Sequence, residues 1–220
     1  VTRAGRPGAG SDFSFIEPGH RLPAAQRLNA QCAGIRKAAT MSATPKPLPL
    51  HRLPLRDHDG EFRVVIEANQ GSRNKLKYDP QRAMMELHLV LPLGVAFPYD
   101  FGFLPSTLGA DGDPLDALVL MDESVPPGAV VPCRLVGVIE AEQTKKKKTR
   151  RNDRFLLVAS SSHRFRNCKD LADISADVLD EIERFFEFYN KQKGVDFRPI
   201  GRYGRNKAEA LLKAGEREAA

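Results

Sequence analysis

From Phe62 to Val158 the apolar residues arrive in short runs, most of them bounded by Gly, Pro, Asn or Asp, and this punctuation constrains the fold more than any other feature. Phe62-Arg63-Val64-Val65-Ile66-Glu67 alternates in part and is rich in β-branched residues. After a turn at Gly71-Ser72-Arg73-Asn74, Met85-Glu86-Leu87-His88-Leu89 alternates strictly, as a half-buried strand does. Ala117-Leu118-Val119-Leu120 is short and continuous enough for a buried strand, and Val130 to Ile139 and Phe155 to Val158 complete the set. Their spacing, with Gly and Pro turns between the runs, predicts a small antiparallel barrel rather than βαβ units.

Helical periodicity appears only at the end of the chain, which makes the class α+β. Positions 178, 179, 182, 185, 186 and 189 form one apolar stripe, with Ser175 as the expected N-cap. A second helix is expected from about Lys207 to Ala214, capped by Asn206 with Glu209 reaching back.

The 220 residues suffice for one domain, expected over residues 49–220, plus a tail. No apolar stretch approaches the roughly 18–20 residues of a membrane span, so a membrane protein is not expected. The net charge of +6 suggests a polyanion partner until it is located: residues 1–50 hold seven Lys/Arg against two Asp/Glu, whereas residues 51–220 hold 27 against 26. Residues 1–48 are thus a basic leader, rich in Ala, Gly and Pro and expected to be disordered. They read first as an extension upstream of a natural start at Met41, or else, through Arg3, Arg6, Arg21, Arg27 and Arg36, as an organelle transit peptide. Cys32, Cys133 and Cys168 lack zinc or disulfide spacing, which suits a reducing compartment, and the cytoplasm is expected. The cluster Lys145 to Lys148 with Arg150 and Arg151 cannot be buried together and reads as a solvated hairpin loop; with no aromatics beside it, nucleic-acid binding is not favoured.

Asp111-Gly112-Asp113-Pro114-Leu115-Asp116 sets three carboxylates on one turn. So close together they repel, and each is pushed towards protonation unless a cation lies between them. A solvated Asp-Gly turn would account for one or two; a third makes a hard divalent ion, Mg²⁺ or Mn²⁺, the better account. A calcium EF-hand fails, because its sixth position would be Asp116 instead of Gly and its twelfth Asp122 instead of Glu.

The stretch Phe97-Pro98-Tyr99-Asp100-Phe101-Gly102-Phe103-Leu104-Pro105-Ser106-Thr107-Leu108, running into the acidic turn and Ala117-Leu118-Val119-Leu120, resembles the signature region of the family I soluble inorganic pyrophosphatases. The likeness spans about residues 55–205 and takes in Glu67, Lys75, Val136-Gly137-Val138, Arg154 and Phe185 to Tyr189. It implies a distorted five-stranded OB-type barrel with helices packed outside, hydrolysis of pyrophosphate with several Mg²⁺ ions, and a homo-oligomer. By matching position it implies metal ligands at Asp111 and Asp116, a proton acceptor at Asp113, which also faces the metal, and phosphate contacts at Lys75, Arg154 (where the family usually has Lys) and Tyr189. It also implies at Glu67 an outer carboxylate that can hold an additional metal through water.

Several matched positions depart from the pattern. Lys75-Leu76-Lys77 replaces Lys-Tyr-Glu, Leu89 beside His88 replaces an Arg, and Phe97 and Phe101 replace tyrosines. For the second metal-binding stretch, strict counting gives Asn152, whereas a one-residue shift presents Glu142 and Asp153 as ligands. Two other readings remain: a catalytically weak relative that binds metal and phosphate or serves as a scaffold, and an OB-type nucleic-acid module, which the near-neutral domain without Trp opposes.

Overall fold

The computed structural model describes residues 48–216, so the expected leader lies, Leu48 apart, outside the described residues. Nine strands form: β1 (Phe62–Ala68), β2 (Asn74–Asp79), β3 (Met84–Val90), β4 (Asp100–Phe103), β5 (Asp116–Leu120), β6 (Val130–Lys145), β7 (Lys148–Arg151), β8 (Arg154–Ala159) and β9 (Asp196–Gly204). Two helices, α1 (Ala176–Lys191) and α2 (Arg205–Gly215), accompany them.

The main sheet closes on itself. Strand β1 bonds β4 on one edge and β6 on the other, and β4–β5–β8–β6 completes a five-membered ring, the OB-like barrel the sequence predicts. Four of its junctions are antiparallel, while β5 and β8 run parallel. That pair is buried on both faces, which is why its sequence reads as unbroken apolar runs. Ala117, Val119, Phe155 and Leu157 pack with Ala208 and Leu212 of α2, while Leu118, Leu120, Leu156 and Val158 pack in the cluster that contains α1. Strand β6 is longer than expected and, past Ile139, serves as a shared edge for β7 and β9. At Gly102 β4 approaches β1 so closely that a Cβ would stand 1.9 Å from the carbonyl oxygen of Val65.

Helix α1 follows its periodicity. The Ser175 hydroxyl accepts from the Val178 N–H, and Leu179, Ile182, Phe186 and Tyr189 are buried. Burying Phe186 alone contributes about 1.5–3 kcal/mol. Helix α2 starts earlier than expected, with Gly204 in place of Asn206 at the cap. Its first orphan N–H, on Arg205, donates to the Asp170 carboxylate at 2.9 Å, a cap from a distant segment that no local pattern encodes. The alternation of β3 also misleads: β2 and β3 form a separate hairpin, and Leu87 is 61% exposed. Strands β2, β4, β7 and β9 were not read from the sequence. They carry Lys, Asp, Gly, Arg and Pro residues that strand propensities disfavour, and their pairing partners supply the order.

Candidate active site

The barrel rim between β1, β5 and β8 opens into a cleft of about 1090 Å³. Its walls include Glu67 at the end of β1, Lys75 and Lys77 on β2, the acidic turn before β5, Asn152 and Arg154 at the start of β8, and Tyr189 near the end of α1. Residues from five separate parts of the chain, the aspartates singled out by their chemistry and the others by the family resemblance or as departures from it, therefore meet in one place.

The acidic turn is held by its own backbone. The Gly109 N–H donates to the Asp113 carbonyl at 2.7 Å, and the Gly112 N–H to the Gly109 carbonyl at 3.1 Å. The Asp113 N–H donates to Asp111 Oδ1 at 3.1 Å, an Asx-type turn. Gly112 sits at φ +94°, where a side chain would be strained.

Each carboxylate of the cleft meets a donor from another element. Lys77 Nζ lies 2.9 Å from both oxygens of Asp113, Arg154 Nη1 lies 2.8 Å from Asp116, and Asn152 Nδ2 donates to Asp111 at 3.1 Å. Lys75 Nζ stands 3.5 Å from Glu67, whose other oxygen accepts from the Tyr78 N–H at 3.3 Å. Burial raises the pKa of Asp111, and the carboxylates of Asp116 and Asp113 push it further up. Glu67 is likewise raised by burial, which outweighs the pull of Lys75. Burial works against the charge of Lys75, but Glu67, Tyr189 and Asp116 hold its ammonium above the ordinary range.

The opposite wall is cationic. Arg154 is only 2% exposed, and its guanidinium lies 4.6 Å from the Phe186 ring centre and 5.1 Å from that of Phe197. Its Nη1 also reaches the carbonyls of Asn152 and Asp153 at 3.0 Å and the Asn152 side-chain oxygen. Its Nε is buried without a partner among the described residues, and so is the Tyr189 hydroxyl. Burial keeps the Tyr189 phenol protonated by raising its pKa. Lys193, just past α1, places its ammonium 4.2 Å from the Tyr189 ring centre. Partial burial, with Lys75 and Arg154 nearby, lowers its pKa to about 8. His88 is lowered by burial and then by Lys75, Lys77 and Lys193.

Not every residue singled out from the sequence reaches the cleft. Glu142 faces Arg198 across the β6–β9 pairing and binds it at 2.8 Å. Asp153 accepts from the Ala141 N–H at 3.0 Å and from Arg151 at 2.9 Å. Neither lines the cleft, whereas Asn152 does. His88 lines it and Leu89 does not, and Phe101 forms wall with Lys75 Nζ 4.5 Å from its ring centre while Phe97 packs behind. Sequence reading missed Lys193, because a lysine after a helix is expected there simply as a favourable charge at the C-terminus.

A sequence model of the inorganic pyrophosphatases matches residues 64–219. This chain belongs to the inorganic pyrophosphatase family. The inorganic pyrophosphatase of Synechocystis sp. is 37% identical over 149 residues, 67% of this chain and 86% of that protein. That of Thermus thermophilus is 40% identical over 141 residues, 64% and 78% of the two chains. The crystal structure of the Thermus thermophilus inorganic pyrophosphatase superposes with a TM-score of 0.69 at 35% identity, covering 76% of this chain and 97% of that one. The family is metal-dependent, which makes the acidic turn the place to test for a metal site. Among the described residues no three His, Cys, Asp or Glu side chains converge as a ready metal cage. The donors nonetheless suit a divalent ion in kind: Asp111, Asp113 and Asp116 offer only hard oxygens to one cleft.

Proposed function

We propose that this protein hydrolyses inorganic pyrophosphate to two phosphates, with Mg²⁺ or Mn²⁺ held by Asp111, Asp113 and Asp116. The observation that carries the reading is the pair of buried donors, Arg154 Nε and Tyr189 OH, that have no partner among the described residues and lie in the wall of the cleft that holds the carboxylates. Buried donors without acceptors cost stability, so their place in a cleft calls for a ligand rich in acceptor oxygens. When bound, the ions neutralise substrate charge and make a water molecule more acidic.

The chain's own groups divide the remaining work. Lys75, Arg154 and Tyr189 bind and orient phosphate oxygens, and the two cations stabilise charge on the departing phosphate. Asp113 accepts the proton of the attacking water as its oxygen bonds to phosphorus and the bridging P–O bond breaks. The balance is P₂O₇⁴⁻ + H₂O → 2 HPO₄²⁻. Lys77 holds Asp113 on the open side of the cleft, where an ion pair is weak enough to yield to the incoming charges. Glu67 stands behind Lys75 and fixes its ammonium. Of Glu142, Asn152 and Asp153, it is Asn152 whose side chain reaches the acidic turn, its amide nitrogen donating to Asp111.

The test is phosphate release from pyrophosphate with Mg²⁺ by the wild type and by Asp113→Asn. Loss of a positioned acid–base group lowers kcat by about 10²–10⁴-fold. An Asp113→Asn variant as active as the wild type would remove Asp113 from the mechanism, and an inactive wild type would restore the reading of a metal- and phosphate-binding relative. The reduced, buried Cys133 and Cys168 agree with a cytoplasmic setting, and self-association would cover the exposed Met84, Leu87, Val90 and Leu93. Among the described residues no helix is long and apolar enough to cross a membrane.

A further inference from the structure

The β6–β7 hairpin carries charge that the hydrolysis of pyrophosphate does not explain. Lys145 and Lys148 face each other across the ladder as like charges, an arrangement that destabilises a hairpin. Between them Lys146 and Lys147 occupy the two-residue turn at φ +49° and +62°. A turn of that shape favours Asn-Gly, and lysines held there are strained. No ion pair relieves Lys145, Lys146, Lys148 or Arg150 among the described residues. Yet these four line the same cleft as the acidic turn.

The positive charge is continuous. Lys193 is perturbed by Lys75 and Arg154 on one side and by Lys145 on the other, so it bridges the inner cations and the hairpin. The cleft, at about 1090 Å³, has the capacity of a drug-sized pocket and exceeds the needs of an anion with two phosphorus atoms. Strain, like-charge pairing and unpaired cations at one rim point to a ligand that supplies negative charge beyond the second phosphate.

We propose that the β6–β7 hairpin is a rim subsite for a third phosphate, so that the cleft takes linear inorganic polyphosphate, tripolyphosphate being the shortest member. The inference rests on the proposed hydrolysis of pyrophosphate at the inner site. Water attacks a terminal phosphorus, its bridging P–O bond breaks, and the products are pyrophosphate and phosphate: P₃O₁₀⁵⁻ + H₂O → P₂O₇⁴⁻ + HPO₄²⁻ + H⁺. The pyrophosphate is then the substrate of the same inner site. Inorganic chains fit better than nucleoside triphosphates, because the hairpin offers Lys, Arg and Thr with no aromatic face for a base.

The experiment compares the wild type with Lys146→Ser/Lys148→Ser/Arg150→Ser on pyrophosphate, tripolyphosphate and ATP, following products by phosphorus NMR. Three modest, solvent-screened contacts together predict a rise of about tenfold in KM for tripolyphosphate. Pyrophosphate kcat/KM is expected to change by less than about threefold. Equal losses on both substrates, or a wild type that neither cleaves nor binds tripolyphosphate, would overturn the subsite. ATP cleaved as well as tripolyphosphate, with the same dependence on the hairpin, would overturn the assignment to inorganic chains. So would hairpin-dependent binding of a single-stranded oligonucleotide with no preference for tripolyphosphate. If the wild type leaves pyrophosphate intact, the inner-site reading fails separately, and calorimetric titration with tripolyphosphate still decides: binding weakened by the variant supports the subsite, and unchanged binding overturns it. A second variant, Lys146→Asn/Lys147→Gly, installs the residues the turn prefers. It is expected to raise the thermal midpoint while weakening tripolyphosphate binding, and tighter binding would count against the proposal.

Discussion

Replacing Tyr189 by Phe separates a ligand-binding hydroxyl from a packing ring. The ring is 2% exposed and fixed by Phe97 at 5.8 Å, Phe185 at 5.8 Å and Phe186 at 6.1 Å, all of which Phe would keep. The hydroxyl is buried without a hydrogen bond among the described residues. A buried polar group left unpaired costs about 1–3 kcal/mol, so its removal leaves stability unchanged or raises it by up to about 1 kcal/mol, the relief being partial. The effect on catalysis has the opposite sign. A hydrogen bond to a charged acceptor contributes about 1.5–3 kcal/mol, which corresponds to a fall in kcat/KM of roughly 10–150-fold when the donor is deleted. Because burial holds the phenol above its ordinary pKa, it stays a donor over the pH range of the assay and the defect should not vary with pH. Urea titration and phosphate release on the same preparation give both numbers. A variant less stable by more than about 1 kcal/mol, with kcat/KM within twofold of the wild type, would show that the hydroxyl serves the fold and would refute the reasoning.

Two further perturbations probe the cationic wall. Arg154→Met removes a buried guanidinium and strands Asp116 and the carbonyls of Asn152 and Asp153. Breaking a buried pair costs about 3–5 kcal/mol, and because the Asp116 side chain is 21% exposed a smaller loss, about 2–3 kcal/mol, is expected in urea titration alongside loss of activity. Lys193, with a pKa of about 8, loses its charge as pH rises through that value. Pyrophosphate kcat/KM should then fall above about pH 8 in the wild type by several-fold, solvent at the exposed side chain screening the rest. Lys193→Ala should lack that limb, and an unchanged pH profile in the variant would remove Lys193 from the site.

The parts of the fold that were legible in the sequence are those whose information is local. Helix α1 announces itself through its stripe and Ser175, and the acidic turn through three carboxylates around Gly112. Strands β5 and β8 read as apolar runs because both faces are buried. What escaped depends on partners distant in sequence. The Asp170 carboxylate caps α2 from 35 residues away, so Asn206 looked like the better local candidate. Leu87 lies in a correctly alternating strand whose hairpin has no sheet to cover it, and alternation reports pairing geometry without reporting burial. The candidate site shows the same division. Chemistry nominated the aspartates and the family resemblance nominated Lys75, Arg154 and Tyr189, but only the β6–β9 register shows that Glu142 is spent on Arg198.

The charges of the cleft are arranged so that neither wall is complete without a ligand. On one side three carboxylates, Asp111, Asp113 and Asp116, meet only two cations, Lys77 and Arg154, and an Asn152 amide. On the other, Lys193 and His88, lowered first by burial and then by neighbouring cations, stand in a basic wall that the hairpin lysines extend to the rim. Lys77–Asp113 and Arg154–Asp116 already pair between elements, whereas Lys193, Lys145 and Lys148 form no ion pair among the described residues. A cation alone would satisfy the acidic wall and leave the basic one repelling itself, and an anion alone would do the reverse. A phosphate chain carrying divalent ions satisfies both at once, and the length of the basic wall, from Arg154 through Lys193 to Lys148, then sets how long that chain can be.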